Sequence, residues 1–157
     1  MQSFGRFLFF ANLPLTIALL FWAWAGRVLF GVGGWFLLIL PLLVGPFVVV
    51  ALIISNVVAY TVATRPRRFT SAQSIAHVAM WVGLAGFGLF LPDFGDSEES
   101  ELSFLTQVFG HSDRLIDLSG QLAAAFAFLT VAGWVATLVT AIVARASANR
   151  PQYTYAG

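Results

Sequence analysis

The acidic residues of this 157-residue chain are confined to one short segment, and the sequence on both sides of it is strongly apolar. Residues 92–117 contain all seven Asp and Glu residues and one arginine, whereas the other seven arginines lie elsewhere. Soluble proteins carry charge on roughly 25% of their residues, but here 10% are charged and 59% are hydrophobic. So much apolar side chain needs lipid as its solvent. The pattern predicts an all-α integral membrane protein with one acidic loop outside the membrane.

Four runs without charged residues are long enough to cross a hydrocarbon core of about 30 Å. The predicted transmembrane helices cover, in chain order, residues of about 7–26, 35–63, 72–91 and 118–144. The first run exceeds the usual apolar length of a signal peptide, about 7–15 residues, so we expect a retained helix. Pro41 and Pro46 predict a kink or tilt in the second helix. Residues 1–157 would form a single transmembrane domain, a four-helix bundle with a polar tail at 145–157.

Local signals mark two further helix starts. Thr70 and Gln73 have the spacing of a capping box directly before the third predicted span. In the acidic loop, a short helix is predicted at about 97–109, with Asp96 or Glu99 as its cap. This helix should lie on the membrane surface, because one of its faces is apolar. That face comprises Leu102, Phe104, Leu105, Val108 and Phe109.

The arginines predict the orientation of the chain in the membrane, because positive residues accumulate on the cytoplasmic side. Six lie in the N-terminal segment, the 64–70 loop or the tail, namely Arg6, Arg65, Arg67, Arg68, Arg145 and Arg150. Only Arg27 and Arg114 lie on the opposite side. Both termini are therefore expected in the cytoplasm, with loop 92–117 outside the cell. The absence of lysine, with arginine as the only cation, is typical of GC-rich bacteria, so we expect a bacterial plasma membrane.

The three arginines of the inner loop have two interpretations. Arg65, Arg67 and Arg68 are candidate anchors at the inner leaflet, where each contact with anionic lipid contributes about 1 kcal/mol. Alternatively, they determine the topology without binding any particular lipid. The two roles are compatible with each other.

Small residues recur every four positions in the last two predicted spans, which favours close helix packing. In the fourth span they are Gly120, Ala124, Ala132, Ala136, Thr140 and Ala144. In the third they are Ala76, Ala79, Gly83 and Gly86. We expect these two stripes to face each other, although one of them facing a partner chain is the alternative. Trp81 and Trp134 lie near mid-membrane and should fill the core.

Five polar residues form a candidate intramembrane cluster: Asn12, Asn56, His77, Thr137 and Thr140. At about 1.5 Å per helical residue, all would lie roughly 6–11 Å above the inner interface. One interpretation is a functional polar pocket, since ionisable groups inside a membrane are functional candidates. The other is hydrogen bonding between helices, about 0.6 kcal/mol per contact. The second is favoured, because one histidine without an embedded acid makes a poor proton relay.

The acidic loop predicts a surface for a partner protein rather than a metal or cofactor site. The candidate partner-facing residues are Asp93, Asp96, Glu98, Glu99 and Glu101. His111, Asp113 and Asp117 resemble metal ligands, but a helix start explains Asp113 equally well. Haem needs facing histidines, and only His77 lies within a span. We therefore predict no catalytic residue, metal or cofactor, and the sequence lacks nucleotide-binding, nucleophile and nucleic-acid motifs.

Three functions are compatible with these features. The favoured one is a non-catalytic accessory or structural subunit of a larger bacterial complex for energy transduction or transport, docking through its helices and acidic loop. Its partners would be larger integral membrane proteins. The second is a small homo-oligomeric transporter or cation channel with Asn12, Asn56 and His77 along its path. The third is a redox subunit with a quinone site beside His77. The chain is not expected to be an enzyme by itself.

Overall fold

The computed structural model describes residues 2–62, 68–95 and 102–148, and most of them are helical. In chain order the helices are α1 (Gln2–Ala25), a 3-10 turn (Gly26–Phe30), α2 (Phe36–Ile39), a π-helical turn (Leu40–Val44), α3 (Gly45–Val62), α4 (Ser71–Phe90), α5 (Phe104–Phe109) and α6 (Asp113–Ala148). Within the described ranges there is no strand, only an isolated antiparallel bridge between Asp93 and Leu102. The predicted all-helical class is confirmed.

Four segments are long and apolar enough to cross a membrane, as predicted. They are the first span (Ser3–Phe30), the second (Phe36–Thr61), the third (Ser71–Phe90) and the fourth (Asp113–Ser147). Helix α6 has 36 residues and is therefore about 54 Å long. This length exceeds a hydrocarbon core of about 30 Å, and the charged residues Asp113 and Arg145 lie in the first and last turns of the helix.

The third span starts at the predicted capping box. The backbone N–H of Gln73 donates to Thr70 Oγ1 at 3.3 Å, and the N–H of Thr70 donates to Gln73 Oε1 at 2.9 Å. Two backbone donors at the helix start are thereby satisfied by side chains. This prediction is confirmed, and the box fixes the residue at which α4 begins.

The predicted helix of the acidic loop starts later than expected. Leu102 is extended and paired with Asp93, so α5 begins only at Phe104. Its cap is Ser103, which forms a capping box with Thr106. The predicted caps Asp96 and Glu99 lie outside the described residues. The residues of the predicted apolar face do not share one environment. The ring of Phe104 packs against the ring of Phe30 at a centroid distance of 5.0 Å, whereas Phe109 is 71% exposed.

The second span is distorted near Pro41, where a kink was predicted. Pro41 has no N–H and cannot donate to the carbonyl of Leu37, four residues earlier. The indole Nε1 of Trp24, in the first span, donates to that carbonyl instead at 2.9 Å. The chain passes through the π-helical turn at Leu40–Val44 and continues as α3. Pro41 therefore has two effects. It distorts the second span, and it leaves the Leu37 carbonyl available for the hydrogen bond from Trp24 that links the second span to the first.

The third and fourth spans pack closely through glycines, as expected from small-residue contacts in membranes. A Cβ added to Gly83 would lie 2.6 Å from the backbone nitrogen of Thr130, and one added to Gly133 would lie 2.6 Å from that of Met80. The third span is also the most buried: 56% of its most apolar window is inside the protein, against none for the second span. The second span therefore lies at the periphery.

The predicted stripe on the fourth span is not the buried face. A Cβ added to Gly120 would meet no atom within 4 Å, and Ala124 and Ala132 are exposed. The buried positions of the fourth span are Ser119, Ala123, Gly133, Thr137 and Ala141. They lie one residue before the predicted positions in the first half of the helix and one residue after them in the second half, so the strict period of four was wrong. The reason is that Phe126 and Thr130, which are not small, lie against Gly86 and Gly83 and fit because the third span supplies the glycines.

A buried ion pair joins three spans at the end of the bundle that the arginines predict to face outward. Nη2 of Arg27, after α1, lies 3.2 Å from Oδ2 of Asp93, after α4, and both side chains are almost completely buried. The carboxylate also accepts backbone N–H groups from Gly34 at 2.8 Å and Phe36 at 3.0 Å. These donors start the second span and have no helical acceptor, so Asp93 caps that helix from another part of the chain.

Two further features complete this outer clasp, defined as Arg27, Asp93 and the backbone of residues 34–36. The carbonyl of Phe94 accepts the N–H of Trp35 at 3.0 Å, and the guanidinium carbon of Arg27 lies 5.6 Å from the centre of the Phe36 ring. Gly34 is required here, because a Cβ would lie 2.3 Å from the Phe94 carbonyl oxygen. Asp93 was predicted to lie on a partner-facing surface. Its carboxylate is instead buried and paired with groups of its own chain.

Replacing Gly83 with alanine should destabilise the bundle. The new methyl group would overlap the Thr130 backbone, and overpacking costs about 1–3 kcal/mol. The control is Gly120→Ala, which has open space around it and should be neutral or stabilising by about 0.5–1 kcal/mol. Thermal unfolding in detergent measures both. Equal effects of the two substitutions would contradict the packing described above.

Replacing Asp93 with asparagine should be strongly destabilising, because it leaves the buried Arg27 without its counter-charge. Removing one partner of a buried pair costs about 3–5 kcal/mol. The matched control is Asp117→Asn, the same change at an exposed position on α6. The double variant Arg27→Met with Asp93→Asn should recover part of the loss in chemical denaturation. No recovery would mean that the pair itself is not what Asp93 stabilises.

Candidate functional site

Four of the five predicted polar residues surround one cavity. Asn12, Asn56, His77 and Thr137 line a space of about 440 Å³ to which all four spans contribute. Thr140 does not line it. The hydroxyls of Thr137 and Thr140 both donate to carbonyls of their own helix, those of Trp134 and Ala136, at 2.7 Å. The depth count along the helices therefore identified a real spatial group, with one member misplaced.

The His77 ring is fixed in orientation by its surroundings. Its Nδ1 lies 2.8 Å from the carbonyl oxygen of Gln73, one turn earlier in α4. Since a carbonyl only accepts, Nδ1 carries the hydrogen, and in the neutral ring Nε2 is left as an acceptor. The ring stacks on Phe69 at 4.2 Å and meets the edge of Trp81 at 5.9 Å. His77 is thus a buried, oriented imidazole.

Phe69 connects this histidine to the first span. Its backbone N–H donates to the carbonyl of Gly5 at 3.1 Å, and its ring packs edge-on against Phe9 at 5.3 Å. A Cβ on Gly5 would lie 2.4 Å from the Phe69 carbonyl oxygen. The glycine therefore permits the close approach that places Phe69 beneath the imidazole.

The two asparagines are incompletely paired. Asn56 Nδ2 donates to the carbonyl of Leu52 at 2.8 Å, but its buried Oδ1 has no partner among the described residues. The Asn12 side chain, 6% exposed, makes no hydrogen bond within the described part of the chain. Buried amides without partners are costly in an apolar medium. These two residues are therefore the atypical polar groups of the cavity.

The hydrogen bonds between helices were expected from the predicted cluster but come from other residues. Trp81 Nε1 donates to Thr16 Oγ1 at 2.9 Å, and Trp134 Nε1 donates to Ser55 Oγ at 2.6 Å. Thr16 and Ser55 also line the cavity. Neither hydroxyl was among the predicted polar residues. The available signal was the indole N–H, which needs an acceptor when a tryptophan is buried at mid-membrane.

The remaining predicted sites are largely outside the described residues. Of the candidate partner-facing acids, Asp93 belongs to the outer clasp, and Asp96, Glu98, Glu99 and Glu101 are not described. Of the inner-loop anchors, Arg68 is half-buried, and Arg65 and Arg67 are not described. Among the described residues, no group of three or more His, Cys, Asp or Glu side chains lies together.

The lining of the cavity is mainly aliphatic and aromatic. Of the residues that the structure describes, none of those lining it is Arg, Asp or Glu. Pockets for small molecules have this composition, with a few polar groups that set the orientation of the ligand. The polar groups here are two amides, one imidazole and several hydroxyls.

Removing the Ser55 hydroxyl should loosen the second span. In Ser55→Ala the Trp134 indole loses its acceptor, and hydrogen bonds between membrane helices contribute about 0.6 kcal/mol on average. The control Thr61→Ala removes an exposed hydroxyl that bonds only to its own helix. We expect a lower unfolding temperature and altered tryptophan fluorescence for Ser55→Ala alone. Identical behaviour of the two variants would show that this bond does not hold the helix.

Comparison with other proteins adds no further residue to this site. The chain matches no protein-family model, and no curated protein and no solved structure is detectably similar to it. Any functional assignment therefore comes from the residues and geometry of the chain itself.

Proposed function

We propose that the chain is a non-catalytic subunit of a larger complex in a bacterial plasma membrane. It would dock onto a larger integral membrane protein through the outward face of the second span. The observation that carries the proposal is the lack of burial along this helix: none of its most apolar window is buried in its own chain, against 56% for the third span.

Lipid alone does not hold a helix in place, since lipid tails are as apolar as the side chains that face them. Beyond the outer clasp, the side-chain hydrogen bonds described between the second span and the others are those of Trp24 with the Leu37 carbonyl and Trp134 with Ser55. The inner half of the helix thus has one such bond. A partner chain would supply the packing that positions the rest.

The docking face is a single stripe. Val49, Ile53 and Val57 are spaced by four residues, are each more than half exposed, and do not line the cavity. Residues three or four apart share one face of a helix. The stripe is β-branched throughout, so its side chains lose little rotamer freedom on contact. This composition suits a dry contact between helices.

The charge distribution supports the proposed orientation, with both termini in the cytoplasm and loop 92–117 outside. Arg27 was one of only two arginines assigned to the outer side, and its charge is paired with Asp93 inside the protein. The positive-inside rule counts arginines whether or not they are paired, and Arg27 and Arg114 stand against six arginines on the other side.

The alternative of a cation channel receives less support. Asn12, Asn56 and His77 do surround a common cavity, but its lining is mostly apolar and includes no carboxylate from the described part of the chain. A hydrated cation is stabilised by rings of acidic side chains or carbonyl groups along its path. The geometry therefore favours a subunit that holds a helix face and a small apolar cavity.

A photo-crosslinking residue placed at position 53 tests the docking face. In native membranes, the Ile53 variant should give a discrete crosslink to a larger protein, recovered through a C-terminal tag and identified by mass spectrometry. The control is the same residue at Ile142 on the fourth span, which is equally exposed, at 61% against 57%. Lipid adducts alone at position 53, or recovery of this chain alone, would overturn the proposal.

A further inference from the structure

We infer that the cavity between the four spans binds an uncharged, membrane-soluble molecule whose head group carries a carbonyl or a hydroxyl. Asn12 and His77 would bind that head group, and the aliphatic walls would hold the apolar remainder. The inference rests on the cavity alone and does not depend on whether the chain has a larger partner.

The volume and lining of the cavity fit such a ligand. About 440 Å³ lies within the range of small-molecule sites, about 300–1,000 Å³. The walls are mainly apolar, as with Leu20, Leu52 and Leu84. Apolar cavities remain dry and take up apolar molecules. Most of the ligand must therefore be hydrocarbon.

An unpartnered polar side chain independently indicates a ligand. Asn12 is more than nine-tenths buried, lines the cavity, and has no hydrogen bond in the described part of the chain. Its amide can donate to a carbonyl and accept from a hydroxyl. His77 also lines the cavity, and its Nδ1 bond to Gln73 leaves Nε2 as an acceptor in the neutral ring. Both residues thus have hydrogen-bonding capacity left for a head group.

The absence of charge in the lining defines the class of ligand. Among the described residues, no Arg, Asp or Glu lines the cavity, and a buried charge without a counter-charge is strongly disfavoured. Phosphate and carboxylate head groups are therefore excluded. Two sources share the remaining chemistry: neutral glycerides, with ester carbonyls and a hydroxyl, and quinones or quinols.

The ligand would enter from the lipid phase. Phe47 and Val50 on the second span and Val131 on the fourth line the cavity and are 77%, 55% and 58% exposed. The cavity is therefore continuous with the lipid-facing surface at these side chains. A membrane-soluble molecule would reach it without passing through water.

Native mass spectrometry of the full chain, with dioctanoylglycerol and a decyl-substituted benzoquinone as probes, tests the inference. The wild type should bind one molecule saturably. Ala51→Phe, which fills the cavity from the second span, should weaken binding at least tenfold. Asn12→Leu, nearly isosteric, should weaken it about tenfold without lowering the unfolding temperature, because it removes an unpaired amide. The control Ala124→Phe, on an exposed position of the fourth span, should bind like the wild type.

The two probes distinguish the sources. Binding of the glyceride alone identifies a neutral lipid, binding of the quinone alone identifies a quinone, and binding of both supports recognition of the shared carbonyl and hydroxyl chemistry. The inference is overturned if neither probe binds the wild type saturably, or if Ala51→Phe and Asn12→Leu both bind as tightly as the wild type. Crosslinking at Ile53 is unaffected by these outcomes, so the docking proposal and the cavity inference can fail separately.

Discussion

The Arg27–Asp93 ion pair is the interaction on which the outer half of the protein depends. Two buried charges are expensive in a medium of low dielectric constant and persist only with good geometry and additional hydrogen bonds. Asp93 meets that condition on its own side, because its carboxylate accepts the starting N–H groups of the second span and forms an ion pair with the guanidinium of Arg27 at 3.2 Å. One carboxylate therefore ties the end of the first span, the start of the second and the end of the third.

Much of the fold could be predicted because the controlling interactions are local. Uncharged runs of about 20 residues define membrane spans, and the Thr70–Gln73 capping box depends on residues three positions apart. Pro41 acts on the helix that contains it. The partner of Asp93 could not be predicted in this way, because Arg27 lies 66 positions earlier and the charge pattern predicted only that both residues lie on the same side of the membrane. The small-residue stripe failed for a related reason, since the face a helix presents depends on its neighbour.

The candidate site was predictable to the extent that depth in a membrane follows from position along a helix. This count grouped Asn12, Asn56 and His77 before any contact was known, and all three line the cavity. It could not show which hydroxyls bridge helices, because Ser and Thr in helices usually bond to their own backbone. The hydroxyls that bridge helices are those that accept from the indole N–H of Trp81 and Trp134. Each indole needs an acceptor, and which hydroxyl lies within reach depends on how the helices pack.

The π-helical turn at Leu40–Val44 divides the second span into a short segment, α2, and a long segment, α3. The Asp93 carboxylate accepts the N–H of Phe36 and so holds the start of α2. Helix α3 has 18 residues, a length of about 27 Å. A rotation of roughly 10° at the turn would displace the inner end by about 5 Å on that length. Two side-chain contacts restrain this part of α3: the hydrogen bond of Trp134 to Ser55 and the edge-on contact of Tyr60 with Phe9 at 5.4 Å. A displacement of α3 about the turn therefore has to break both contacts.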